Sequence, residues 1–144
     1  MKLFTIGFTK TSAERFFERL RSAGVRRLVD VRLHNVSQLS GFAKRDDLKY
    51  FLRAINNIDY AHMPLLAPTA DMLEAYKKQR GEWAQYERQF IDLMTARRIE
   101  DKIQPTDLDM NCLLCSEDKP HHCHRKLVAE YLRRHWGSLE MVHL

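Results

Sequence analysis

The sequence predicts a single three-layer α/β domain over residues 1–144, in which a mostly parallel sheet of four to five strands carries helices on both faces. Short apolar runs that suit buried strands alternate along the chain with longer segments whose apolar residues have helical spacing. The chain has 144 residues, of which 44% are hydrophobic and 30% charged, as is typical of one folded domain. Ligands of such folds bind at the carboxyl ends of the strands.

The predicted elements follow in chain order. A first strand is predicted at residues 2–6, and Thr11 and Glu14 have the spacing of a capping box, so the first helix is expected to begin there and to end at Gly24. Apolar runs predict the other strands, at residues 27–31, 60–63, 111–114 and 139–144. Helical spacing predicts further helices, near residues 48–55, from 70 to about 103 with a break at Gly81, and in a last segment that begins near Pro120 and includes 127–132.

Composition and cysteine usage indicate a cytoplasmic protein. No apolar run approaches the roughly 20 residues that a membrane span needs, and the start MKLFTIGF lacks the features of a signal peptide. All three cysteines, Cys112, Cys115 and Cys123, fall in one short segment, which does not suggest a disulfide scaffold. We therefore expect the thiols to serve chemistry or metal binding.

The basic charge is concentrated in the N-terminal part of the chain. Residues 1–53 hold 12 Lys and Arg against 5 Asp and Glu, whereas the net charge of the whole chain is +5. This excess favours an anionic partner, either an anionic small molecule or nucleic acid. One hypothesis is therefore a non-enzymatic nucleic-acid-binding module, which rests on Arg15, Arg19, Arg26, Arg27, Lys44 and Arg45.

Three predicted loops leave the carboxyl ends of strands and should meet in one crevice. The first follows Gly7 and lacks the sequence of a P-loop, yet the free N–H groups of a helix start favour an anion. In the second, Asp30 and Arg32 flank Val31, so on a strand they point the same way and form either a structural ion pair or part of a substrate site. The residues expected to bind an anion are Gly7, Thr9, Lys10, Arg32, Ser37 and Arg125.

The third loop lies in the segment from Cys112 to Arg125, which allows two interpretations. As a structural metal site in an interaction protein, Cys112, Cys115, Cys123 and His122 would form a tetrahedral zinc set. On an extended strand, however, Cys112 and Cys115 project to opposite faces. In the second interpretation no cofactor is bound and Cys115 faces Cys123. Helix-terminal N–H groups and Arg125 then lower the pKa of the Cys123 thiol.

The leading hypothesis is an enzyme that acts on an anionic, nucleotide or nucleic-acid-derived substrate, as a thiol-dependent transferase, hydrolase or redox enzyme. Cys123 or Cys115 would be the nucleophile, or the two would form a redox pair. Glu117 and His124 would transfer protons, while Arg32 and Arg125 would bind the anion. The expected catalytic residues are Asp30, Cys115, Glu117, Cys123 and His124.

Several of these motifs together resemble a known family. Thr5-Ile-Gly7, the segment from Leu28 to Arg32 with Ser37, Tyr60 before a Pro-containing turn, and Leu113 to Glu117 leading to Cys123-His-Arg125 resemble the domain of unknown function 488. The resemblance covers Lys2 to about Trp136. It implies a small α/β domain whose signature positions are Asp30, Arg32, Cys115, Glu117, Cys123, His124 and Arg125, and it specifies no reaction.

Two positions depart from the pattern of that family. Many members have His and Ser after the first Gly, where this chain has Phe8 and Thr9, so a catalytic use of that His does not apply here. Members often carry Pro where this chain has Asn35. Cys112 is not a signature position, which further weakens the zinc set that includes it.

Overall fold

Five parallel strands form the central sheet of the computed structural model, which describes residues 1–36, 41–117 and 121–144. They are β1 (Lys2–Gly7), β2 (Arg27–Asp30), β3 (Asp59–His62), β4 (Asn111–Cys115) and β5 (Glu140–His143). Neighbouring strands follow the order β3-β2-β4-β1-β5, so β4 lies at the centre between β2 and β1. The predicted parallel sheet is confirmed, and every strand bound lies within one residue of its predicted position.

Helices cover both faces of the sheet, which confirms the predicted α/β class. The helices are α1 (Ala13–Ala23), α2 (Arg45–Phe51), α3 (Ala70–Lys77), α4 (Trp83–Arg97), α5 (Ile99–Lys102), α6 (Pro105–Leu108) and α7 (His124–Trp136). The buried residues of α1 and α2 belong to one core, and those of α4 and α7 belong to the other. None of the helices in the described residues is long and apolar enough to cross a membrane.

The central strand β4 is buried on both sides and supplies both cores. Leu113 and Cys115 belong to the core beneath α4 and α7, whereas Cys112 and Leu114 belong to the core beneath α1 and α2. Side chains alternate between the two faces because a strand has a period of two residues. The prediction that Cys112 and Cys115 point to opposite faces is therefore confirmed.

The first helix begins one residue later than predicted. Ser12, and not Thr11, is the residue before the first turn, and its hydroxyl accepts a hydrogen bond of 3.2 Å from the backbone N–H of Arg15. The backbone of Ser12 is extended, as a helix cap requires, and the Thr11 hydroxyl instead accepts a hydrogen bond from Arg19. Gly24 ends the helix in the left-handed conformation, as predicted.

The last helix also begins later than the position of Pro120 indicates. Its first residue is His124, and Cys123 precedes it with an extended backbone. Pro120 lies outside the described residues. The side chains of Cys123 and His124 are both buried at this end of the helix. The start of α7 therefore directs two reactive side chains into the protein.

The connections of the strands make the carboxyl ends of β1 and β4 the first place to look for a ligand site. These neighbouring strands continue into helices on opposite faces, because β1 leads to α1 and β4 leads to α7. In an open α/β sheet, ligands bind where two adjacent connections diverge in this way. The residues that follow these strands are thus the first candidates for a functional site.

Candidate active site

Gly7 at the end of β1 allows the loop after β4 to pass directly over it. A methyl group on this residue would lie 1.4 Å from the carbonyl oxygen of Glu117 and 2.8 Å from Nη1 of Arg125. The guanidinium of Arg125, which is almost completely buried, donates a hydrogen bond to the same carbonyl. The sequence prediction assigned Gly7 to anion binding, and in the structure its lack of a side chain makes room for the Glu117 backbone.

The residues after Gly7 hold the same loop from the other side. The backbone N–H groups of Phe8 and Thr9 donate hydrogen bonds of 3.3 and 3.1 Å to the carbonyl of Ser116. The Thr9 hydroxyl donates a third, of 2.9 Å, to that carbonyl. These donors, which could otherwise bind an anion, therefore fix the position of the loop that follows Cys115.

The side chains of Cys115 and His124 form a pair at the end of β4. Sγ of Cys115 lies 3.4 Å from Nδ1 of His124, and Nε2 of the same ring lies 2.7 Å from the carbonyl oxygen of Val31. A carbonyl oxygen only accepts hydrogen bonds, so Nε2 carries the proton of the neutral ring and Nδ1 is left as an acceptor. The ring therefore presents a base to the Cys115 thiol.

Burial keeps the His124 ring neutral. The side chain is 6% exposed, and desolvation lowers the pKa of His124 below its ordinary value. Its neutral form persists to a lower pH than that of an exposed histidine. At neutral pH the ring can therefore accept the proton that Cys115 releases.

A second thiol stabilises the ionised form of Cys115. The pKa of Cys115 is lowered by a hydrogen bond from the Cys123 thiol, against the opposing effect of burial, with further help from the Ser116 backbone and the charge of Arg125. The pKa of Cys123 is raised well above its ordinary value by the same interaction with Cys115 and by burial. Sequence reasoning expected the activated thiolate at Cys123 or Cys115, and the lowered pKa of Cys115 favours the second.

Cys112 takes no part in this group. It lies in the core on the opposite face of the sheet, where desolvation raises the pKa of its thiol. The predicted zinc set that includes Cys112 therefore does not form. Among the described residues, the side chains that could bind one metal ion are those of Cys115, Cys123 and His124, whose ligand atoms lie within 4.8 Å of one another.

A cavity of about 210 Å³ opens beside Cys115. Aromatic side chains from α3 and α4 form one wall, where the rings of Tyr76 and Tyr86 lie 4.9 Å apart and that of Trp83 stacks on Tyr86 at 5.3 Å. Arg32, Cys123 and His124 line this cavity together with Cys115. In the sequence, Trp83 and Tyr86 have the spacing of a helical core stripe, which does not indicate a stacking surface. The break at Gly81 gave no indication that α3 would bring Tyr76 beside them.

Arg32 lines this cavity and forms the predicted pair with Asp30. Nε and Nη2 of Arg32 each donate a hydrogen bond of 2.8 Å to one oxygen of the Asp30 carboxylate, and both side chains are buried. Tyr60 donates a further hydrogen bond of 2.6 Å to the same carboxylate, and Asn35 donates one to the Tyr60 hydroxyl. Nη1 of Arg32 has no hydrogen-bond partner among the described residues.

The other predicted residues are less close to the thiols. The Glu117 side chain lines the cavity and forms an ion pair of 2.7 Å with Lys77 of α3, although both groups are 40% or more exposed. Lys10 is exposed and does not line the cavity, and Ser37 lies outside the described residues. His122 is exposed and stacks on Trp83 at the rim.

Some of the basic residues of the N-terminal part contact the protein itself. Arg27 donates hydrogen bonds to the side chain of Asn111 and to the carbonyl of Asp107, and Arg45 pairs with Asp46. Burial lowers the pKa of Arg19, whose side chain reaches the Thr11 hydroxyl. These contacts neither support nor oppose nucleic-acid binding by the basic residues, which therefore stays a prediction.

Comparison with known proteins identifies the family. No match was found among curated proteins or among solved structures. The model of the family described as Domain of unknown function DUF488 matches residues 12–132. This range includes Asp30, Arg32, Cys115, Cys123 and His124. With most of its length covered by that match, the chain belongs to the DUF488 family.

Proposed function

We propose that this protein is a thiol-dependent enzyme in which Cys115 is the nucleophile and His124 is the general base. The observation that carries the proposal is the contact of 3.4 Å between Cys115 Sγ and His124 Nδ1, together with the 2.7 Å hydrogen bond that holds the other ring nitrogen. A nucleophile, a base and a group that orients the base are the recurring parts of such sites.

The proposed reaction is acyl transfer to water or to another acceptor. Cys115 Sγ attacks an electrophilic carbonyl carbon while its proton passes to Nδ1 of His124. The imidazolium then gives this proton to the leaving group, and a thioester on Cys115 remains. Water attacks the thioester, His124 accepts one of its protons, and the acid leaves as the thiol is restored.

The cavity favours a flat substrate that carries an anionic group. The rings of Tyr76, Trp83 and Tyr86 offer an aromatic surface of the kind on which a flat ring stacks. Nη1 of Arg32, without a partner among the described residues, is a charged donor for an anionic oxygen. A nucleotide combines a flat base with an anionic phosphate, and a nucleotide-derived acyl compound is therefore the substrate class that we propose.

The nucleophile is tested with 4-nitrophenyl acetate, a small aromatic ester that releases coloured 4-nitrophenolate. We expect peptide mass spectrometry to find the acetyl group on Cys115, and we expect no cysteine acetylation in the Cys115→Ala variant. The Cys112→Ala variant is the matched control and should react like the natural protein, because Cys112 lies in the other core. Acetylation confined to lysines would overturn the proposal.

The same reaction tests the substrate class. Adenosine monophosphate should slow the acetylation of Cys115 because it competes for the cavity, and adenosine should compete less well because it lacks the charge that Arg32 would bind. Equal competition by both compounds, or none by either, would exclude an anionic nucleotide as the ligand.

A structural or catalytic zinc ion is the second candidate for this site. The specific observation in its favour is the convergence of Cys115, Cys123 and His124, since two thiolates and one imidazole are ligands that zinc prefers. In that case the purified protein should contain about one zinc per chain. The cysteines should then resist alkylation until a chelator removes the metal.

A further inference from the structure

We infer that Asp30 is a positioning residue that fixes the proton of His124 on Nε2 through the peptide group between Val31 and Arg32. The two ends of this peptide group have different partners. The N–H of Arg32 donates a hydrogen bond of 3.1 Å to Oδ1 of Asp30, and the carbonyl of Val31 accepts the 2.7 Å hydrogen bond from His124. This inference rests on the proposed function and assigns it one further residue.

The geometry of a trans peptide connects these two contacts. The N–H and C=O of such a group are coplanar and point in opposite directions, and the chain has no cis peptide among its described residues. When Asp30 holds the N–H, rotation of the peptide group is restricted and its carbonyl must point toward the opposite side. His124 lies on that side.

The Asp30 carboxylate is itself held firmly. It accepts hydrogen bonds from Nε and Nη2 of Arg32 and from the Tyr60 hydroxyl, all between 2.6 and 2.8 Å, and its side chain is fully buried. Arg32 is held in turn by a bond of 2.8 Å to the carbonyl of Ala43. The carboxylate therefore holds the peptide group in one orientation, which a solvated side chain would not do.

The consequence for the site is the choice of ring tautomer. If the Val31 carbonyl turned away, Nε2 of His124 would lose its acceptor, and the proton could move to Nδ1. In that tautomer the ring would present a donor to Cys115 and could not accept its proton. Asp30 thus acts on the reaction without contact with Cys115 or the substrate.

The test is the tautomer of His124, measured by ¹⁵N NMR on protein labelled in histidine, with the His124 signal assigned from the His124→Gln variant. In the natural protein we expect the proton on Nε2. In Asp30→Asn, which cannot bind the Arg32 fork as a carboxylate does, we expect a mixture of both tautomers. We also expect acetylation of Cys115 by 4-nitrophenyl acetate, in which His124 accepts the thiol proton, to slow by on the order of tenfold, which is the size expected for a lost charge-assisted hydrogen bond.

Two further variants complete the design. Asp59→Asn is the matched control, since it removes an exposed carboxylate, at the first residue of β3, that pairs with Arg53. It should change neither the His124 tautomer nor the rate of the Cys115 reaction. Tyr60→Phe removes one hydrogen bond from Asp30 but leaves the ion pair with Arg32 in place. It should raise the fraction of His124 with the proton on Nδ1 by less than Asp30→Asn does. It replaces Asp30→Asn as the test of the inference if that variant does not fold.

The outcomes separate this inference from the proposed function. A folded Asp30→Asn variant with the His124 proton wholly on Nε2, or a natural protein with that proton on Nδ1, would overturn the inference. If Cys115 of the natural protein reacts no faster than Cys112, the proposed function fails, and the tautomer measurement still decides the positioning role of Asp30.

Discussion

Gly7→Ala should destabilise the protein by at least about 3 kcal/mol and should separate Cys115 from His124. The added methyl group would lie 1.4 Å from the Glu117 carbonyl oxygen, so the loop after β4 must move. That movement breaks the hydrogen bonds that the Ser116 and Glu117 carbonyls accept. Urea denaturation measures the loss in free energy of unfolding, and the alkylation rate of Cys115 measures the loss of the site.

The matched control is Gly41→Ala. A methyl group there would meet no atom of the described residues within 4 Å, so we expect the free energy of unfolding to change by no more than about 0.5 kcal/mol. If Gly7→Ala were as stable as this control and kept a reactive Cys115, the loop would not be held against β1 in the way described above.

His124→Gln should reduce the rate of Cys115 acetylation by 4-nitrophenyl acetate by on the order of 100-fold. Glutamine is of similar size and can donate to the Val31 carbonyl, but it offers no basic nitrogen to the Cys115 thiol. Stopped-flow absorbance of the released 4-nitrophenolate gives the rate. Mass spectrometry then shows which part of the reaction places the acetyl group on Cys115.

His135→Gln is the control for loss of an imidazole. His135 is exposed at the end of α7, where its ring contacts the carbonyl of Tyr131, and its replacement should leave the Cys115 rate unchanged. Equal rates in His124→Gln and the natural protein would mean that His124 is not the base.

The fold could be predicted from the sequence because its signals are local. Alternation of buried strands with amphipathic helices is set by the spacing of neighbouring residues, and each strand bound came within one residue. The start of α1 was missed because Thr11 and Ser12 are both good caps, and the extended backbone of Ser12 decides between them. That choice depends on how β1 is connected to the helix, which no short pattern records.

The residues that form the site could be predicted from the sequence, but not the role of each. Cys115, Cys123 and His124 were expected to meet because they follow adjacent elements, and the structure brings them together. Which thiol ionises first depends on their mutual orientation and on burial, and a helix start alone does not decide between them. The Val31 carbonyl was missed because backbone groups carry no sequence signal.

The cavity wall was also missed for a physical reason. Tyr76 of α3 and Trp83 of α4 meet only because the turn near Gly81 folds one helix against the other. In the sequence both residues have the spacing of an ordinary core stripe. Long-range packing, and not helical periodicity, decides that their rings line a cavity beside a thiol.

The central claim is that Cys115 is the thiol of this site that ionises most readily, and its most direct test is the alkylation rate of each cysteine against pH. Iodoacetamide labelling from about pH 5 to about pH 10 is read by peptide mass spectrometry, with and without prior treatment with a chelator. Since the thiolate is the reactive form, a lowered pKa brings the rise in rate to a lower pH.

The account predicts that Cys115 reaches half of its full rate at a pH below the ordinary thiol pKa of about 8.5, with no effect of the chelator. Cys123 and Cys112 should react only at higher pH, because the pKa of each is raised. A Cys123 that reacts before Cys115 would contradict the claim, as would cysteines that stay protected until the chelator is added.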